Sequence, residues 1–136
     1  YSKIQFRYRG SDLSDNLIFI STTLKGKLSN KSDIKKKMKT LFDKKRKSQP
    51  YNIKTCGSTF KNLEKKKAWE FIKESGCDGM RVGDAQISDK HCNFFVNRGN
   101  AKSADLEELI NKVKKNVFIH TGVNLELELQ IIGEKK

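Results

Sequence analysis

Proline is almost absent from this chain, with Pro50 the only one in 136 residues. Proline is the strongest helix breaker, so that single position marks a boundary. Long apolar runs are missing as well. The longest, Leu17-Ile18-Phe19-Ile20, is far short of the roughly 20 residues that a membrane helix needs. The start shows no charged-then-apolar leader, so a soluble protein with no membrane partner is expected. Cysteine is scarce and odd in number. Cys56, Cys77 and Cys92 stand at no metal-like spacing, which argues against a disulfide framework or a zinc site and fits a reducing cytoplasm. Acidic residues run short, with 16 Asp and Glu against 29 Lys and Arg, and the net charge is +13. Within that excess the rare residue is arginine, present only as Arg7, Arg9, Arg46, Arg81 and Arg98. Bidentate base and phosphate recognition favours arginine, whereas lysine crowds the stretches Lys31 to Lys47 and Lys65 to Lys67. These runs read as solvated helix faces, and such a surface also steers an anionic diphosphate toward the protein. The charge admits an alternative, a lysine-rich nucleic-acid-binding α+β module. That module needs exposed stacking aromatics, yet most Phe and Trp fall on inward faces, so no specific nucleic-acid partner is expected.

The remaining composition, with 35% hydrophobic residues, suits one ordinary domain with a real core. Residues 3 to 9 alternate through Lys3, Ile4, Phe6 and Tyr8, and residues 16 to 24 carry Leu17 to Ile20 before Thr22-Thr23. Both patterns predict strands, which are expected to pair. A chain that opens at Tyr1 inside an apparent strand reads as a piece whose beginning lies upstream. Ile34, Met38, Leu41 and Phe42 recur at spacings of three and four, predicting an amphipathic helix that starts at Asn30 or Ser32 and ends before Gln49-Pro50. A second helix is predicted from Leu63 to Ser75, with Ala68, Trp69, Phe71 and Ile72 inward and Gly76 as its C-cap. Gly76, Gly79 and Gly83 then make a turning segment, followed by short strands at Ala85 to Ser88 and Asn93 to Val96. A third helix begins at Ser103, follows Leu106, Leu109, Ile110, Val113 and Val117, and stops before Gly122. Leu125 to Ile132 alternates apolar with polar as a final strand. The class is α+β, a mixed or antiparallel sheet flanked by about three helices.

The segment most suited to chemistry is Cys56-Gly57-Ser58-Thr59-Phe60-Lys61-Asn62, read as a loop between two helices. Glycine directly before a serine lets the backbone turn and a ligand approach the hydroxyl. Taken alone, Gly-Ser-Thr is ordinary turn chemistry. It is followed, however, by Ala68-Trp69, Ile72, Gly76, Gly79, Arg81-Val82-Gly83, Ala85, Ser88, His91, Asn93-Phe94, Val96-Asn97 and Ala101. In order and spacing that series resembles the C-terminal part of the UDP-N-acetylenolpyruvoylglucosamine reductase (MurB) family, in its shorter type. The likeness extends over nearly the whole chain. It begins at Phe6-Arg7-Tyr8-Arg9-Gly10-Ser11, similar to the family's Tyr-Arg-x-Ser, passes Arg46-Lys47-Ser48-Gln49-Pro50, and ends at Leu125 to Gly133.

The resemblance implies a flavoenzyme of peptidoglycan synthesis that reduces an enolpyruvyl ether with NADPH through FAD. It implies that residues 1–24 end a flavin-binding region and that residues 25–136 form the substrate-binding domain. It also implies a UDP-sugar substrate and the protein's own N-terminal flavin domain as partner. The glycine-rich loop that holds the FAD pyrophosphate is expected upstream, so these residues alone should bind little FAD and should not turn over. Such a reduction needs a stabiliser for charge building on the carboxylate and a general acid for the neighbouring carbon. Position by position, Arg9 matches the family's active-site arginine, Ser58 its serine proton donor, and Glu128 its terminal glutamate. Tyr8, Lys61, Asn62, His91 and Asn93 match the substrate-binding segments. Without the resemblance Arg9 is an edge charge, Glu128 a solvated strand residue and His91 a loop histidine. The chain departs from the family pattern at Gln130, where arginine is usual, and at Leu63, where proline is usual. Both departures bear on affinity more than on reaction class.

Overall fold

The computed structural model describes residues 4–14 and 16–133, which fall into two compact units, Tyr1–Ile34 and Lys35–Lys136. In the first unit, β1 (Phe6–Arg7) pairs antiparallel with β2 (Gly10–Ser11), placing Phe6 opposite Ser11 and Arg7 opposite Gly10. Tyr8 and Arg9 are the two residues between them, and Gln5 and Asp12 extend the pairing by two further hydrogen bonds of 3.0 and 3.1 Å. The expected partnership of residues 3 to 9 with residues 16 to 24 is not formed, and Lys3 lies outside the described residues. Residues 17–30 have no regular structure, and Ile18 and Ile20 are 89% and 94% exposed. The physical reason is the ladder: a run apolar on both faces is a buried strand only when neighbours cover it, and among the described residues none does.

Helix α1 (Lys31–Ser48) spans the division between the units. Asn30 starts it, its Oδ1 accepting from the Ser32 N–H at 2.8 Å and from the Ser32 hydroxyl at 2.8 Å. The helix stops two residues before Pro50, and its last turn carries Lys45, Arg46 and Lys47, which suit the negative end of the dipole. The predicted apolar stripe is present but is not inward, since α1 buries no residue and Ile34, Met38, Leu41 and Phe42 are exposed. At its end the Arg46 guanidinium lies 4.4 Å from the Tyr51 ring centroid and 5.6 Å from that of Phe42.

The second unit is built on an antiparallel sheet of β3 (Lys54–Ser58), β4 (Arg81–Val82), β5 (Ala85–Ile87) and β6 (Phe94–Asn97), in the order β3-β6-β5-β4. Helices α2 (Ala68–Glu74) and α3 (Ser103–Thr121) close the core over it. Leu109, Ile110, Val113 and Val117 of α3 are buried at helical spacing with Phe60, Ile72, Ile87 and Phe95. This is the α+β class expected, with the antiparallel alternative realised.

Four local expectations are corrected. Helix α2 starts at Ala68, not Leu63, because the Ala68 N–H is taken by Asn62 Oδ1 at 3.1 Å and the Lys67 N–H by Glu70 at 2.7 Å. Trp69 is 39% exposed, because the short helix turns Ala68 and Ile72 into the core and leaves the indole at its flank. The strand Leu125 to Ile132 is reduced to a single bridge between Leu127 and Phe60. Its partner stretch is only three residues long, since after Lys61 the chain turns away to cap α2. The C-cap of α2 is Ser75, one residue before the expected Gly76, which follows it at φ +64° and donates to Lys73 O, while Cys77 donates to Ile72 O.

Candidate functional site

Ser58 ends a bulged strand and does not sit in a loop between helices. Lys54 and Thr55 pair with Asn97 and Val96, but the next partner of β6, Phe94, faces Ser58, so β3 carries one residue more than its neighbour. Gly57, at φ +85°, takes up the extra residue in a conformation that any side chain would strain. The Thr55 hydroxyl fills the bulge, donating to Phe95 O at 2.8 Å and accepting from the Gly57 N–H at 3.2 Å. Bulges re-aim side chains at sheet ends, and this one delivers the Ser58 hydroxyl at the end of β3.

Beyond Ser58 the backbone of Thr59 to Lys61 is held on both edges. On one side the Thr59 N–H donates to Asn93 O at 2.8 Å, and the Phe60 N–H donates to Asn93 Oδ1 at 2.9 Å. Asn93 Nδ2 returns a 2.8 Å bond to Phe60 O. On the other side the Lys61 N–H donates to Glu126 O at 2.8 Å, and the Glu128 N–H donates to Thr59 O at 2.9 Å. Ser58 and Glu128, 70 positions apart in number, are thus brought within one residue of a shared backbone bond. Glu128 is half-buried, not the solvated strand residue its alternating pattern suggests.

Several of the remaining candidates are spoken for by the fold. Lys61 Nζ meets Glu126 at 3.3 Å in an exposed pair, a geometry worth little by itself. Asn62 caps α2 through its Oδ1. His91 Nδ1 accepts from the Asn93 N–H at 3.2 Å, and its ring meets Phe94 edge-on at 4.9 Å between centroids. Burial of that ring lowers the His91 pKa, favouring neutral imidazole. Asn93 is 3% exposed, and both ends of its amide are engaged by Phe60.

Tyr8 and Arg9 belong to the first unit. Arg9 sits at the tip of the hairpin at φ +58°, a left-handed conformation unusual for a residue with a long side chain. Its guanidinium lies 5.3 Å from the Tyr8 ring centroid.

Sequence reasoning missed the connecting role of Thr59 and Phe60. Their signal was weak, because the bonds that matter come from backbone groups that any residue carries. It also missed a cavity of about 190 Å³ whose lining includes Cys56, Thr59, Phe95, Leu106, Ile110 and Leu129 but neither Ser58 nor Glu128. That volume is below the roughly 300–1,000 Å³ of ligand pockets.

The model of the C-terminal domain of UDP-N-acetylenolpyruvoylglucosamine reductase matches residues 49–132, more than half the chain. The chain belongs to the MurB family. The MurB of Pelagibacter ubique is 47% identical over 134 residues, covering 96% of this chain and 44% of that relative. The MurB of Gluconobacter oxydans is 41% identical over 135 residues, covering 99% and 44%. The crystal structure of MurB from Thermus caldophilus superposes with a TM-score of 0.78 at 38% identity, covering 93% of this chain and 45% of that one. The chain therefore spans less than half the length of the MurB relatives it matches. Among the described residues no helix is long and apolar enough to cross a membrane. The FAD of the MurB family does not fit these residues alone: no two of the nine glycines stand two apart as in a phosphate-cradling Gly-x-Gly turn, and the cavity beside β3 is about 190 Å³.

Proposed function

We propose that this chain is the substrate-binding and proton-delivering part of an enzyme that reduces UDP-N-acetylglucosamine enolpyruvate to UDP-N-acetylmuramate in cytoplasmic peptidoglycan synthesis. The division at residues 24 and 25 between flavin region and substrate domain belongs to the same proposal. FAD, reduced by NADPH and held mainly by the N-terminal flavin domain, would supply the hydride for this chemistry.

The work of the residues in hand is on the acceptor. As hydride adds to one carbon of the enolpyruvyl double bond, the π electrons move toward the carboxylate and give an enolate. Arg9 and Glu128 are assigned to stabilise that species, one as a cation and the other as a hydrogen-bonding acid. The Ser58 hydroxyl gives its proton to the neighbouring carbon, which completes the saturated ether. Tyr8, Lys61, Asn62 and His91 are assigned to the UDP-sugar, where ammonium and amide groups donate to diphosphate and sugar oxygens. The observation that carries this reading is the Glu128 N–H to Thr59 O bond of 2.9 Å, which joins the serine-bearing segment to the glutamate-bearing one.

The test is Ser58→Ala in the full-length enzyme. Reduction of the flavin by NADPH should be unchanged, while its reoxidation by the enolpyruvyl substrate should slow roughly 100- to 10,000-fold. Stopped-flow absorbance resolves the two halves, and an equal loss in both defeats the assignment of Ser58.

A further inference from the structure

We propose that Asn93 is a positioning residue that keeps Ser58 and Glu128 in register by clamping the backbone of Thr59 and Phe60. The inference rests on the assignment of Ser58 as proton donor. In an extended chain the N–H and C=O of one residue point to the same edge, so a neighbouring strand normally satisfies both. Here β6 is no longer available as that neighbour, because its backbone turns back at Phe94, whose N–H donates to His91 O at 2.9 Å. The Asn93 side chain takes the place of the missing strand. Its Oδ1 accepts from the Phe60 N–H at 2.9 Å and its Nδ2 donates to Phe60 O at 2.8 Å, while its own carbonyl accepts from the Thr59 N–H at 2.8 Å.

A primary amide carries its acceptor and its donor on separate atoms and so reaches both groups of one residue. Serine and threonine offer a single oxygen, and an ionised aspartate offers no donor. Both residues are shielded from bulk water, Phe60 being fully buried and Asn93 3% exposed. Thr59 is the shared element. Its N–H is held by the backbone carbonyl of Asn93 and its C=O by the Glu128 N–H at 2.9 Å, so the amide acts on it through Phe60, whose two bonds to the side chain fix the peptide that links the serine segment to the glutamate segment. A misplacement of about 1 Å at a reacting group costs on the order of 100-fold in rate.

The experiment uses the full-length enzyme carrying Asn93→Ala, Asn93→Asp or Ser58→Ala. Asn93→Ala should slow flavin reoxidation by the enolpyruvyl substrate roughly 10- to 100-fold and leave flavin reduction by NADPH unchanged. It should also raise the solvent deuterium isotope effect on reoxidation and speed hydrogen exchange at the Phe60 and Glu128 amides. Asn93→Asp keeps the acceptor that faces the Phe60 N–H, so it should show the same split at smaller amplitude, and it carries the test should the alanine variant fail to fold. A residue that merely supports folding lowers the active fraction, so equal losses in both halves with an unchanged isotope effect overturn the proposal. If Ser58→Ala slows reoxidation and neither Asn93 variant does, the clamp alone falls. If Ser58→Ala leaves reoxidation intact, the function proposed above falls and the clamp with it.

Discussion

Helices α1 and α3 are nearly equal in length, 18 and 19 residues, yet they are held by different means. Helix α3 buries Leu109, Ile110, Val113 and Val117 and ends on Gly122, whose N–H donates to Phe118 O at 2.8 Å. Helix α1 buries nothing; it has the Asn30 cap, basic residues in its last turn and the Arg46 stack on Tyr51. The two show that an apolar stripe at helical spacing specifies a helix but not what covers it.

The largest break in this comparison is Leu109→Ala, which should cost about 2–5 kcal/mol because it empties a fully buried position in α3. Leu41→Ala in α1 should cost less than about 0.5 kcal/mol, as its side chain is already more than half exposed. Urea unfolding of this chain checks both, and equal losses would mean that the α1 stripe is covered in solution. End contacts come next. Gly122, at φ +70° with open space where a Cβ would be, should lose about 1 kcal/mol on Gly122→Ala through backbone conformation alone. Asn30→Ala should cost about 1 kcal/mol, read for α1 as lost helical circular dichroism. The smallest effect is on the α3-side unit and comes from His91. Its pKa is lowered by burial, so just below the ordinary 6.5 the unfolded chain binds more protons than the folded one. Stability from the neutral ring is therefore complete above 6.5 and declines as the pH falls below it. Thermal midpoints near pH 5 and 7.5 should fall further on acidification in the wild type than in His91→Gln.

The same comparison explains what the sequence could reveal. Leu109, Ile110, Val113 and Val117 were legible as an inward face because a core exists to receive them, and Gly76 and Gly122 were legible as markers of helix ends because their left-handed φ is a demand that few residues meet. Trp69 misled because hydrophobicity says nothing of where a short helix turns its flank. Leu17 to Ile20 and Leu125 to Ile132 misled because a strand is defined by its partner, and alternation describes only one of the two. Ser58 stood out through its glycine, while the bulge that aims it depends on the Thr55 hydroxyl meeting Phe95 from 40 positions away. Asn93 drew notice as a ligand candidate, and its geometry shows an amide engaged with the backbone of Phe60.

The bridge between the serine segment and the glutamate segment has a consequence for biosynthesis. Lys61 and Glu126 lie 65 positions apart, with the whole of α2, the β-meander and α3 made in between. On the ribosome Ser58 emerges long before its counterpart, and the Thr59 carbonyl waits unpaired until translation has passed Glu128. A chain stopped short of that codon lacks the segment that pairs with Thr59 and Lys61. The arrangement makes the joining of the two segments a late event in the life of each molecule, one that requires synthesis to have run past Glu128.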